Sequence, residues 1–328
     1  MHTPKISVVI TAYNRKKFIR EAVESVINQT LDIYTYEIIV VKNFKDDLID
    51  SFLSENNVIN IFSETPYLGK DKVLGIQASS SEIISFLDDD DLFLPNKLKS
   101  VLYAFSENPA LVFFRNNPQF FNETGILTQT IQGAGKVHQV MSPKYSDIKR
   151  FIAERAAFNS SCISIRKDLV LPHLNTFSNI MNVVDYYLFV LACNSGKQII
   201  QSPEILTQYR VSRELSTSRP LGTFAEFREK SLKLKTRELT DVVFLTGLPQ
   251  TPAVKKIINM EAVFLALQVE ILNKNNDRKK MIKLAIRYVR CMLSIPSKYN
   301  PYYFGYAVLS LIDKNIPLKI LYNSSLNF

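Results

Sequence analysis

The sequence predicts an α/β protein, with a mostly parallel sheet covered by helices on both faces and a helical C-terminal extension. Three observations carry that prediction. Over residues 1–110, short apolar runs alternate with segments whose apolar residues recur every three or four positions. The runs are apolar throughout rather than at every second residue, as in strands buried on both faces. Beyond residue 220 the strand-like runs stop and only helical spacing remains.

Residues 6–11, with Ile6, Val8, Val9 and Ile10, form a β-branched run short enough for a buried strand. Residues 17–28 follow as a helix, with Phe18, Ile19, Ala22, Val23, Val26 and Ile27 on one stripe. Residues 36–41 are a second strand, 46–55 a helix, 58–62 a short third strand, 70–79 a helix and 83–87 a fourth strand. The next helix opens at Pro95, because a first helical turn tolerates proline. Residues 111–115 and 160–165 read as strands, and 186–195 as a helix stopped by Gly196. Residues 122–144 hold three of the nine glycines and read as a long loop or an irregular hairpin. Helices over 224–239, 253–272, 277–295 and 302–312 complete the chain. The change of pattern sets a domain boundary near Ser218-Arg219-Pro220, giving domains 1–219 (halves 1–110 and 111–219) and 220–328.

Composition narrows the class further. With 46% apolar and 22% charged residues, the 328-residue chain is neither disordered nor collagen-like. Three scattered cysteines, Cys162, Cys193 and Cys291, argue for a reducing compartment and against a zinc or disulfide scaffold. The N-terminus has no signal-peptide pattern, and no apolar run of about 18 residues exists to span a bilayer. The expectation is a cytoplasmic protein, peripheral at most on the cytoplasmic face of the cell membrane. Its net charge of +9 is unevenly placed: residues 220–328 carry 17 Lys/Arg against 8 Asp/Glu, and residues 1–219 carry 23 of each.

The strongest chemical signal is Asp88-Asp89-Asp90-Asp91, directly after the fourth strand. Four adjacent like charges repel, so they need solvent or a cation. At the end of a parallel strand, where open α/β sheets place ligands, oxygen-only ligation suits Mg²⁺ or Mn²⁺ bridged to substrate phosphates. A solvated acidic turn before the helix at Pro95 is the alternative. Neither G-x-G-x-x-G nor G-x-x-x-x-G-K-[ST] is present, and His2, His138 and His173 have no metal-ligand or nucleophile spacing.

Val8-Val9-Ile10-Thr11-Ala12-Tyr13-Asn14-Arg15, continued by Glu24-Ser25-Val26-Ile27-Asn28-Gln29-Thr30, resembles the opening of the family 2 glycosyltransferases, which have the GT-A, Rossmann-like fold. Glu37-Ile38-Ile39-Val40-Val41 matches that family's second strand. Gly69, Lys72 and Gly75, then residues 82–95, match the block around its D-x-D motif. The likeness is strong over residues 5–100 and weaker over 155–212.

The resemblance implies a hexosyltransferase-type enzyme that binds a UDP- or GDP-sugar, with Mg²⁺ or Mn²⁺ between the diphosphate and the D-x-D carboxylates. It makes Asp90 the direct metal ligand, with Asp88 facing the ribose or the metal and Asp89 in the variable middle position. It places Thr11, Ala12, Tyr13 and Arg15 at the nucleotide end of the first strand and Lys72 near the base or diphosphate. In inverting members an Asp opening a helix deprotonates the acceptor hydroxyl, and Asp185 matches it, with Val184 in place of the usual Glu; a helix-terminal acid stabilised by the macrodipole is the other reading. Two positions depart from the pattern. Lys42-Asn43 replaces an Asp-Asp pair, so Asn43 stands where a carboxylate meets the base, and an amide leaves the base open. Tyr209-Arg210-Val211-Ser212 lacks the family's late histidine, leaving Arg210 for the diphosphate.

The expected function is metal-dependent inverting sugar transfer to a lipid-linked or cell-surface glycan. A non-catalytic nucleotide-sugar- or glycan-binding module and a nucleotidyltransferase are the alternatives. In the basic third, Lys279, Lys283, Arg287 and Arg290 share roughly one quarter of the helical wheel. That stripe and the aromatic cluster of residues 299–306 suit an anionic membrane surface through residues 277–306, or a packed subdomain whose cations face water. Nothing in the sequence indicates a nucleic-acid partner.

Overall fold

The computed structural model describes residues 3–127, 135–211, 223–275, 277–293, 301–313 and 315–326. The chain divides into two compact units, residues 1–210 and 211–328. The expected boundary at 218–220 lies outside the described residues.

The first unit runs β1 (Ile6–Ala12), α1 (Ile19–Ile27), β2 (Tyr36–Lys42), α2 (Asp47–Glu55), β3 (Ile59–Phe62), α3 (Leu68–Ala78), β4 (Ile83–Asp88), β5 (Leu92–Phe93) and α4 (Lys97–Glu107). It continues through β6 (Leu111–Asn122), β7 (Gly125–Ile126), β8 (His138–Met141), α5 (Tyr145–Ala153), β9 (Ile163–Arg166), α6 (Leu174–Phe177), α7 (Val184–Asn194) and β10 (Gln198–Arg210). One sheet orders these strands β3-β2-β1-β4-β9-β6-β10-β5, with β7 on β6 and β8 on β10. Strands β3, β2, β1 and β4 are parallel, as is the β6–β10 pair. Strand β9 runs antiparallel to both β4 and β6, and the short strands β5, β7 and β8 are antiparallel to their partners.

Both faces of β1 are covered, which is why the strand reads as apolar throughout. Val8 and Ile10 pack with Val23 of α1, Leu53 of α2 and Leu98 of α4. Val9 faces the other way, onto Gly75 of α3. A ring cluster of Phe113, Phe151 and Phe189 fixes α5 and α7 to β6 by edge-to-face contacts. Gly196, at φ +68°, ends the turn after α7 as the sequence predicted.

Three segments differ from the sequence-based expectation. Residues 160–162 form one 3₁₀ turn, and the strand begins only at Ile163, because the side chains of Ser160 and Ser161 bond into the site described below. Strand β10 interrupts its apolar pairs Ile199-Ile200 and Ile205-Leu206 with Gln198, Gln201, Ser202, Glu204 and Gln208, yet it is paired on both sides, with β6 and with β8 and β5. Residues 122–144 contribute β7 to a hairpin with β6 and β8 to a pairing with β10.

The second unit holds α8 (Phe224–Thr246), α9 (Pro252–Leu272), α10 (Arg278–Leu293), α11 (Pro301–Ile312) and α12 (Asn315–Leu326). Thr223 and Glu226 close a capping box at the start of α8, and Thr251 with Pro252 starts α9. Its core joins Phe264, Leu267 and Ile271 to Met281, Ala285 and Tyr288 of α10, with Phe264 stacked on Tyr288 at 4.7 Å. Lys279, Lys283, Arg287 and Arg290 lie on the exposed side of α10 together with Ile286. Helix α12 had no counterpart in the sequence reading. Of the aromatic cluster, residues 299 and 300 lie outside the described residues.

Candidate active site at the carboxylate loop

The parallel register sets Ala12 beside Lys42 and Thr11 beside Asp88, so the C-terminal ends of β2, β1 and β4 lie in a row. The loops leaving these ends carry Tyr13 to Arg15, Asn43 and Asp89 to Asp91. This is where an open α/β sheet presents residues to a ligand.

The four carboxylates have separate partners. Asp88 uses Oδ1 to accept from Lys72 Nζ at 3.2 Å and from Ser160 Oγ at 2.9 Å. Lys72 comes from α3, only 1% exposed, with its ammonium 3.4 Å from Thr11 Oγ1 and over the Phe86 ring. Asp89 is buried and receives Arg15 in two-pronged fashion, Nε at 3.1 Å and Nη2 on the other oxygen. The third nitrogen of Arg15, Nη1, reaches Asp90 Oδ2 at 2.7 Å. Asp91 is buried without a cation: it accepts from Ser161 Oγ (2.6 Å), Asn159 Nδ2 (2.9 Å) and the Arg210 backbone N–H (2.9 Å).

Burial dominates the electrostatics of this loop. It pushes Asp89 up to about 7 against the opposing pull of Arg15. It also raises Asp90, which Arg15 opposes and Asp88 reinforces, and raises Asp91 well above the usual carboxylate range, with Asp90 and Asp88 adding to it. The loop sets four adjacent carboxylates against the ion pairs of Arg15 and Lys72. Among the described residues no three His, Cys, Asp or Glu side chains converge as a complete metal cage. The partly exposed carboxylates of Asp88 and Asp90 instead fit a hard divalent cation that takes its remaining ligands from phosphate and water.

Asp185 stands at the start of α7, where the macrodipole favours an acid. Its Oδ2 accepts from the Asn159 backbone N–H at 2.9 Å and its Oδ1 from the Tyr186 N–H at 2.8 Å. Burial raises it to about 6, those two N–H groups pull it down, and the Asp88 charge pushes it up. The structure thus brings Asp185 within the electrostatic reach of Asp88, although 97 positions separate them in the sequence.

The remaining sequence-predicted residues fall into two groups. Ala12 is buried at the end of β1, while Tyr13 beside it is 37% exposed. Asn43 forms a reciprocal amide pair with Asn14, whose N–H and Oδ1 each meet it at 2.7 Å. Asn14 adopts φ +56°, a conformation asparagine tolerates better than most residues. Arg210 is engaged inside the protein: Nε donates to the Asp90 carbonyl at 2.8 Å and Nη2 to Glu21 at 2.6 Å, with the guanidinium between the Phe18 and Phe121 rings. It anchors the carboxylate loop. Ser212 lies outside the described residues.

Sequence reasoning missed Asn14, Glu21, Asn159, Ser160 and Ser161. The polar triplet Asn159-Ser160-Ser161 ahead of an apolar strand was visible, but nothing local said that it meets carboxylates about 70 positions earlier.

A curled mixed sheet with helices on both faces and a carboxylate loop after β4 is the architecture of the GT-A glycosyltransferases. The chain belongs to glycosyl transferase family 2, whose model matches residues 7–172. It is 31% identical over 280 residues to an uncharacterised glycosyltransferase of Haemophilus influenzae, covering 83% of each chain. It is 29% identical over 184 residues to the GalNAc(5)-diNAcBac-PP-undecaprenol β-1,3-glucosyltransferase of Campylobacter jejuni, covering 52% of this chain and 54% of that one. Matches to other relatives span less of them, 43% of EpsH from Bacillus subtilis and 19% of a Rickettsia bellii glycosyltransferase. Among solved structures, residues 1–349 of TarS from S. aureus with UDP-GlcNAc superpose with a TM-score of 0.61 at 16% identity, covering 98% of this chain and 92% of that one. The mannosyltransferase PcManGT of Pyrobaculum calidifontis, with GDP-Man and Mn²⁺, gives 0.56 at 12% identity, covering 99% and 84%.

Proposed function

We propose that the chain is a metal-dependent, inverting glycosyltransferase that moves a sugar from a nucleotide diphosphate to a lipid-linked or polymeric glycan acceptor. The observation that carries this reading is the convergence of Asp185, raised to about 6, with a loop of four adjacent carboxylates of which Asp88 and Asp90 stay partly exposed. One group is suited to take a proton and the other to hold a cation against a diphosphate. The complex of PcManGT with GDP-Man and Mn²⁺ and the undecaprenol in the C. jejuni enzyme's name support the cation and the acceptor class.

Asp88 and Asp90 would hold Mg²⁺ or Mn²⁺, which would offset the charge of the leaving diphosphate. Thr11, Ala12, Tyr13 and Asn43 line the nucleoside end, with the Asn43 amide released from Asn14 to meet the base. Arg15, which pairs with Asp89 and Asp90 in the free protein, and the buried Lys72 supply cations beside the phosphates. Arg210 fixes the loop through the Asp90 carbonyl. Asp185 accepts the proton of the acceptor hydroxyl as that oxygen bonds to the anomeric carbon. The bond from that carbon to the diphosphate breaks, the nucleoside diphosphate leaves, and the configuration inverts.

For the basic unit we propose contact with an anionic membrane surface through α10. The exposed stripe of Lys279, Lys283, Arg287 and Arg290 around Ile286 supports it. Among the described residues no helix is long and apolar enough to cross a membrane.

Calorimetric titration of nucleotide sugars with Mn²⁺, followed by a transfer assay, tests the catalytic reading. Asp185→Ala should bind donor but lose transfer by about 10²–10⁴-fold, the usual contribution of a general base. Asp90→Ala should lose the Mn²⁺-dependent part of donor binding. A wild-type chain that binds no nucleotide sugar with Mn²⁺ present refutes the proposal.

A further inference from the structure

Asn159 bonds directly to both the candidate base and the carboxylate loop. Its backbone N–H donates to Asp185 Oδ2 at 2.9 Å. Its side-chain Nδ2 donates to the buried Asp91 Oδ2 at 2.9 Å, and its Oδ1 accepts from the Ser161 N–H at 2.7 Å. The side chain therefore has an acceptor and a donor both engaged, and the residue is only 7% exposed. Its backbone sits at φ +60°, ψ 109°, a strained region for a non-glycine residue that persists only where the surroundings enforce it.

That conformation has a geometric consequence. It turns the peptide N–H towards Asp185 on α7 while the side chain reaches back to Asp91 beyond β4. Asn159 thus ties α7, in the second half of the first unit, to the carboxylate loop of the first half. Asp91 is in turn fixed by Ser161 Oγ and by the backbone of Arg210, so the far end of the strut is anchored.

We infer that Asn159 is a positioning residue, which sets Asp185 relative to the carboxylate loop and so to the sugar that is transferred. The inference rests on the proposed function and adds a residue to it. Asn159 touches no reacting atom; it acts through Asp185.

The test uses the full-length chain, with donor binding read by calorimetry and transfer read in a single-turnover assay. Asn159→Gly keeps the positive φ without strain and deletes both side-chain bonds, so a loss of rate cannot be assigned to backbone strain. It should bind donor within about threefold of wild type and transfer about 10- to 100-fold more slowly, as a base displaced by a fraction of an ångström does. Asn159→Asp puts an oxygen against Asp91 and should lose at least as much. Combining Asn159→Asp with Asp91→Asn restores a donor–acceptor pair of reversed polarity and should recover about tenfold or more of that loss.

Wild-type transfer by Asn159→Gly overturns the inference. Equal losses of donor affinity and of transfer also overturn it, since they describe a general defect of the site. If the glycine variant fails to fold, as read by thermal melting, the double exchange decides: recovery over Asn159→Asp supports the inference and none overturns it. A wild-type chain that binds no nucleotide sugar removes the proposed function itself, an outcome distinct from normal wild-type transfer with an unaffected glycine variant.

Discussion

At the scale of single residues, Asp185 illustrates how one carboxylate serves both the fold and the proposed chemistry. As a helix-terminal acid it accepts two backbone N–H groups, which favour its charged form, yet burial outweighs them and holds it near 6. The Asp88 charge acts in the same direction as burial. A general base works only when ionised, so the rate of transfer should fall as pH drops through about 6 and level off above it. The folded carboxyl is raised above its unfolded value, so stability contributed by its neutral form is present at low pH and lost as pH rises through that same value. A pH–rate profile measured at saturating donor checks the first statement, and a flat profile between pH 5 and 8 would remove Asp185 from the role of base. Arg15 shows the complementary principle. One guanidinium satisfies Asp89 with two nitrogens and Asp90 with the third, a division that lysine cannot reproduce.

At the scale of elements, the position of Lys72 depends on how closely α3 approaches the sheet. A Cβ on Gly75 would come within 2.3 Å of Val9 Cγ1, and one on Gly69 within 2.1 Å of the Phe177 carbonyl oxygen. Neither glycine is needed for its φ; both are needed for close approach, which lets a buried lysine from α3 reach Thr11 and Asp88 at the strand ends. Gly75→Ala should push α3 away from β1 and lower stability by about 1–3 kcal/mol, the usual cost of overpacking. Urea unfolding reads that as a lower midpoint with an unchanged slope. The same spacing of Gly69, Lys72 and Gly75 was legible as a motif in the sequence. What it accomplishes was not, because Val9 and the Phe177 carbonyl lie 66 positions before Gly75 and 108 after Gly69.

At the scale of the whole molecule, the net charge of +9 resolves into two parts with different meanings. The first unit contains a loop of four adjacent carboxylates, while the exposed face of α10 concentrates Lys279, Lys283, Arg287 and Arg290. The opposite side of α10 is spent on a core with Met281, Ala285 and Tyr288, so the helix stays folded against its own unit while presenting its charge. Each cation near an anionic surface contributes about 1 kcal/mol, so replacing all four by glutamine should abolish sedimentation with phosphatidylserine liposomes at moderate salt. Undiminished sedimentation of that variant would assign the stripe to solubility alone.

The sequence by itself determined the alternation of elements in the first hundred residues, the carboxylate run at the end of β4 and the four helices from residue 224 to 312. These are local properties: apolar periodicity, capping chemistry and a run of like charges are written in neighbouring residues. By resemblance it proposed Asp185 as a base and Arg210 as a cation for the diphosphate. Only the tertiary structure decided that the Arg210 guanidinium, held between two aromatic rings, anchors the Asp90 carbonyl, that β10 is paired on both sides despite its polar residues, and that Asn159 bonds both Asp185 and the carboxylate loop. Those facts depend on which segments the sheet brings together. A buried polar side chain shows its purpose only when the partner that satisfies it has arrived from elsewhere in the chain.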